Sequence, residues 1–172
     1  MRKLLLVAVL AFILPVCSIA QDDIWPIHTS VAGHYSIAFP GEPKESVEHD
    51  SSGGKITNIN MATYEINDSD VLMLSWVDFA GMDLIGKSLK ELLVTSRDGA
   101  LSSLNAANIV TTATVLTGNP YIEFTFRSGE FSGKARVYII NKVQYSILAI
   151  FSSDKGLRLF GDRYIKSFQH KK

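Results

Sequence analysis

Cysteine is almost absent, with Cys17 the only one in 172 residues. A single thiol excludes a disulfide framework and a cysteine-built zinc site. An excess of either charge is missing too, since 17 basic side chains balance 17 acidic ones. Nucleic-acid binding draws its affinity from a clustered basic excess, so no nucleic acid is expected as a partner. Histidine is sparse: no two of His28, His34, His49 and His170 stand at the i, i+4 spacing of a metal-binding helix. Asp68 and Asp70 share one turn but offer calcium too few oxygens. No G-x-S-x-G nucleophile elbow occurs. No catalytic residue, cofactor site or metal ligand is therefore assigned, and the chain is expected not to be an enzyme. Long apolar runs are missing beyond the amino terminus. The longest, Val143 to Phe151, is broken by Gln144 and Ser146 and has the length of a strand, not of a membrane span.

The amino terminus reads as an export signal. Arg2 and Lys3 precede an apolar run from Leu4 to Val16, and Ser18 and Ala20 place small residues where a signal peptidase cuts. As a helix the run spans roughly 20 Å, short of the ~30 Å hydrocarbon core. Residues 1–20 are thus expected to be a signal peptide, and the mature protein to be periplasmic or secreted without a transmembrane segment. The alternative is a lipoprotein acylated at Cys17, although Val16 stands where such processing boxes carry a small residue. Cleavage after Ala20 leaves no cysteine, which suits an oxidising compartment. Residues 21–33 read as a lead-in and 34–172 as one domain. That length buries enough surface to fold without disulfides or metal, and 47% hydrophobic residues argue against disorder.

His34 to Phe39 alternates, with Tyr35, Ile37 and Phe39 on one face, and Pro40-Gly41 ends the strand. Lys44 to Asp50 and Lys55 to Ile66 form a hairpin around Ser51-Ser52-Gly53-Gly54; the apolar phase slips between Ile56 and Ile59, which suggests a bulge. Val71 to Phe79 is apolar on both faces apart from Ser75 and Asp78, as in a central strand. Ser88-Leu89-Lys90-Glu91 is a capping box opening a helix whose buried stripe is Leu89, Leu92, Leu93, Ser96, Ala100, Leu101 and Leu104. Four strands follow, the last two joined by Asn141-Lys142. Ser153 or Asp154 then caps a closing helix that buries Leu157, Phe160, Tyr164, Ile165 and Phe168. Strands joined by short turns are antiparallel, so the fold class is α+β, a mainly antiparallel sheet covered by helices.

Gly81 to Ser88 matches the phosphate-loop pattern G-x-x-x-x-G-K-[ST] letter for letter. Nucleotide binding is nevertheless not expected. Met82, Leu84 and Ile85 are bulky apolar anchors, not backbone bared for a phosphate. Such loops belong to parallel sheets with a later Asp for Mg²⁺, whereas hairpins follow here. Ser88 is already engaged as a helix cap, and an exported protein meets little nucleoside triphosphate.

Tyr35-x-Ile37-x-Phe39-Pro40-Gly41-x-Pro43 resembles the opening of PsbP-like domains, and the helix from Ser88, the Tyr138…Tyr145 hairpin and the close at Ser167-Phe168 agree in order. The resemblance covers most of residues 34–169. It implies an antiparallel sheet between helices, an α/β/α sandwich acting as an accessory or docking module, and transfers no functional residue. The function expected is accordingly that of an exported, non-enzymatic docking protein that binds a protein partner through its surface, with Ile24, Trp25 and Ile27 of the lead-in as candidate partner-binding residues. The alternatives are a carrier of a small apolar ligand held between sheet and helix, or an envelope enzyme whose site is scattered along the sequence. Lys134, Arg136, Arg158, Arg163, Lys166, Lys171 and Lys172 are read as solvated faces.

Overall fold

A computed structural model describes residues 24–51, 56–80, 86–102 and 104–172. The signal peptide, the tip of the first long hairpin and the Gly81–Ile85 part of the phosphate-loop match lie outside the described residues.

Hairpins dominate the chain because turn chemistry recurs between alternating segments. In order, the strands are β1 (Ile27–Ser30), β2 (Tyr35–Ala38), β3 (Lys44–Asp50), β4 (Thr57–Glu65) and β5 (Val71–Asp78), then helix α1 (Leu89–Ser102), then β6 (Ala107–Val115), β7 (Tyr121–Ser128), β8 (Phe131–Ile140) and β9 (Val143–Phe151). The chain closes with α2 (Asp154–Gly156), a π-helical turn (Leu157–Gly161), α3 (Asp162–Ser167) and β10 (Gln169–His170). Asn141 and Lys142 take φ of 53° and 67°, the two left-handed residues of a tight hairpin turn, and so fix the β8–β9 register from Ile140↔Val143 onward.

Seven strands form one antiparallel sheet in the order β3-β4-β5-β9-β8-β7-β6, and three form a second, β1-β2-β10. One face of the large sheet presents Leu72, Leu74, Tyr138, Tyr145, Ile147 and Phe151. The small sheet covers it with Tyr35, Ile37 and Phe39, and α3 with Tyr164 and Ile165. The other face presents Ile122, Phe124, Val137 and Leu148, on which α1 lays Leu93 and Leu101. β9 serves both, odd residues to one core and even residues to the other, as a strand period of two requires. The α+β reading and its sheet between covering layers hold, with a small sheet sharing one layer with helix.

Two expectations are corrected, and one pairing is added. The β3–β4 register runs unbroken from Lys44↔Thr63 to Asp50↔Thr57, so no bulge follows Ile56; the irregularities fall in β6, at Ala107/Val110 and Thr111/Ala113. Ile56 precedes the strand and points to solvent, so its apolar phase constrains nothing. Residues 27–30, read as lead-in, pair with β2, and Gln169–His170 pairs with its other edge. Phe160 is 40% exposed and not buried on the closing helix. Phe160 lies inside the π turn, where Gly161 takes the buried position.

Candidate functional site

The capping box forms as the sequence predicts. The Ser88 hydroxyl accepts from the Glu91 N–H at 3.3 Å, and Glu91 accepts from the Ser88 N–H at 2.7 Å. The second bond is the main reason the exposed Glu91 carboxyl sits below its ordinary pKa. The cap fixes where α1 begins, and α1 packs across β7 and β8. Among the described residues nothing roofs the β4–β5 half of that face, where Met61, Met73 and Ser75 are half-buried.

A groove of about 590 Å³ results, walled by Leu92, Ser96 and Gly99 of α1 and floored by Met61, Met73, Val77 and Leu148. A short polar chain runs through this apolar setting. The Ser96 hydroxyl donates to the Gln144 side-chain oxygen, and the Gln144 amide donates to the Ser146 hydroxyl at 3.1 Å. Ser146 lies directly across from Ser75 of β5. Asp50 and Lys87 add opposite charges to the lining. The polar groups of this chain are neutral, so it can hold a polar atom by hydrogen bonding, while the methionines supply an adaptable apolar surface. No group of three metal-ligating side chains occurs among the described residues.

The opposite face carries charge. The Glu123 carboxylate, 9% exposed, accepts from Arg136 Nε at 2.9 Å and pairs with Lys134 Nζ at 3.1 Å; Lys134 also reaches Asp162 at 2.7 Å. Arg136 lies 4.6 Å from the Tyr121 ring centre. Burial pushes the Glu123 carboxyl up, but the bonds from Arg136 and Lys134 outweigh it and the net direction is down. Every charge here is matched within the cluster, which ties α3 to β7 and β8.

No family model and no curated protein matches the chain. Among solved structures it is similar to the solution structure of cyanobacterial PsbP (CyanoP) from Synechocystis sp. PCC 6803, with TM-score 0.54 over 90% of this chain and 96% of that one, at 13% identity. The fold is PsbP-like.

Within this PsbP-like fold the lead-in residues part company. Trp25 is 6% exposed and stacked on Phe160 at 6.1 Å, whereas Ile24 and Ile27 are 90% and 72% exposed. The histidines scatter. His28 sits 3.2 Å from Glu45, His49 bonds Asn58, and only His34 and His170 adjoin; burial first, then the charge of His34, pulls the His170 pKa down. The phosphate-loop context does not form around its described part: β5 pairs antiparallel with both β4 and β9, and the Ser88 hydroxyl is engaged with Glu91. Among the described residues no helix is long and apolar enough to cross a membrane. Sequence reasoning missed Ser75, Gln144 and Ser146 as site residues. The signal was present, because a central strand that is polar on one face needs either a polar cover or an opening there.

Proposed function

We propose that the chain is an exported, non-enzymatic accessory module that docks a protein partner, and that the groove along α1 receives an apolar segment of that partner. The groove carries this reading: it is apolar, open along one side, and floored by two methionines that can repack around different side chains. Export is supported by the amino-terminal sequence, with its basic start, apolar run and small residues before Gln21. A photo-crosslinking residue at Met73, expressed in the native envelope, should yield a discrete protein adduct, while one at Thr111 on the β6 edge should not. Equal labelling at both positions would sink the proposal.

A second reading, carriage of a small apolar ligand, is favoured by the Ser96–Gln144–Ser146 chain, which can anchor one polar head group inside an apolar channel. Under it, native mass spectrometry of protein taken from its own envelope shows a bound small molecule that the Gln144→Leu variant loses, and crosslinking at Met73 captures no protein.

A further inference from the structure

A cavity of about 230 Å³ lies between the small sheet and the β3–β5 side of the large one. Val47, Asn60 and Trp76 line it as one row across three strands, since Val47 pairs with Asn60 and Asn60 with Trp76. The row runs inward from the rim of the sheet to an indole half-buried against the closed core. Glu45, two residues along β3 on the same face, is the only charged side chain in the described lining and is 66% exposed. His28 Nε2 stands 3.2 Å from it but makes no hydrogen bond. An indole and a carboxylate that share a small cavity with no lining cation make a site for a positive charge.

The strand at the rim supplies a second observation. Among the described residues β3 ends the large sheet, and all seven of its residues are exposed. Its register with β4 is unbroken from Lys44↔Thr63 to Asp50↔Thr57, so its outer N–H and C=O groups keep the regular array that an added strand needs. The opposite edge, β6, is interrupted at two places. β3 carries Glu45, Glu48 and Asp50 against Lys44, and its single apolar residue, Val47, is 52% exposed.

We propose that an extended, basic segment of a partner protein adds to the outer edge of β3 and lays one arginine across Val47, with its guanidinium between the Glu45 carboxylate and the Trp76 ring. Main-chain bonds to β3 would supply affinity, and the cavity would supply the choice of side chain. Charge complementarity selects the occupant. The chain as a whole is neutral, yet this edge is acidic. A second copy of β3 would bring carboxylates together, whereas a basic strand meets them. An added strand lies about 4.8 Å beyond β3. The arginine stem can cross Val47 as apolar cover and carry its head to Asn60, inside the cavity. Arginine fits better than lysine, because its planar fork stacks on an indole and still donates sideways to a carboxylate. This site lies on the closed-face side of the sheet and does not rest on the α1 groove.

Peptide titration followed by NMR tests the assignment on the chain from Gln21 onward, which holds every described element. The probe is a capped strand of valine and threonine, as long as β3, with one central arginine. At about 0.1 M salt it should shift the Trp76 indole N–H resonance, assigned through Trp76→Phe, together with the amides of β3, and do so saturably. Replacing the arginine by citrulline, its uncharged isostere, should weaken binding about ten-fold. Backbone N-methylation of alternate residues, made in both phases, should weaken one of the two peptides at least about ten-fold, because one set of N–H groups faces β3. Glu45→Gln should cost about five-fold. Glu48→Gln removes the same charge from the other face of β3 and should cost less than about two-fold. Equal losses in the two variants, or equal binding of the citrulline peptide, overturn the proposal. Indifference to both methylation patterns also overturns it, as does arginine amide binding as tightly as the peptide, which would make the cavity a site for a small guanidinium compound.

Discussion

The two faces of the seven-stranded sheet are built from the same strands and finished differently. One is closed by the small sheet and α3, with Tyr35, Ile37, Phe39, Tyr145, Phe151 and Tyr164 all at or near zero exposure. Among the described residues the other is closed only where α1 crosses β7 and β8, and beside the helix a groove keeps Met61 and Met73 half-buried. The sheet alone would permit either finish. What differs, among the described residues, is the number of covering elements on each side: β1, β2, β10 and the closing helices on one, α1 on the other. An antiparallel sheet of this width needs more than one helix to roof a face. The uncovered remainder is the apolar surface that the proposed docking would use.

The largest test of this contrast is truncation on the closed face. Phe151→Ala should cost about 3–5 kcal/mol in urea unfolding, the range for a fully buried aromatic with no room to collapse. A cost near 1 kcal/mol would mean that the face yields as easily as the groove.

Next comes the charge cluster that pins α3 to the closed face. Glu123→Gln should cost about 2 kcal/mol, below the range for a deeply buried pair because Lys134 and Asp162 keep some access to water. The native pKa of Glu123 lies below its ordinary 4.5. Its contribution is therefore complete above the unfolded value and disappears as pH falls through the lower folded value. Wild type should lose stability over that acid range, and the variant should show a flatter acid limb. Parallel limbs in the two proteins would remove Glu123 as an anchor.

Much of this contrast was legible before any coordinates. Tyr35, Ile37 and Phe39 announce a buried face by alternation alone, and Asn141-Lys142 announces its turn because few residue pairs accept two positive φ values. The cap at Ser88 needed only local chemistry. What stayed hidden depends on distant partners. β1 and β10 are short strands that exist because each pairs with an edge of β2, and β10 lies at the far end of the chain from it. In the π turn the buried place belongs to Gly161, whose missing side chain gives no apolar signal, so α-helical spacing points to Phe160 instead. The groove depends on where α1 settles across the sheet, which no spacing encodes. Ser75 and Ser146, one from each of two central strands, were its only advance mark.

On the open face the effects should be smaller and should separate stability from binding. Met73→Ala removes a half-buried side chain beside empty space, so about 1 kcal/mol is expected, well under the 2–5 kcal/mol typical of a closed site. Capture of the partner at the groove, followed with the crosslinker at Met61, should fall several-fold. A large stability loss with unchanged capture would reassign Met73 to the core.

The smallest effect carries the opposite sign. Gly99 sits in the interior of α1, facing the groove, and a Cβ there would meet nothing within 4 Å. Glycine in a helix costs about 1 kcal/mol relative to alanine, through backbone entropy alone. Gly99→Ala should therefore stabilise the fold by about 0.5–1 kcal/mol. The added methyl enters the groove, so capture should weaken even as the melting temperature rises. A core position cannot behave this way: filling a closed core strains it, and relieving helix entropy elsewhere leaves binding alone. If Gly99→Ala stabilises the chain and leaves capture intact, the wall of α1 at Gly99 does not touch the ligand, and the working part of the groove shrinks to the Met61–Met73 side.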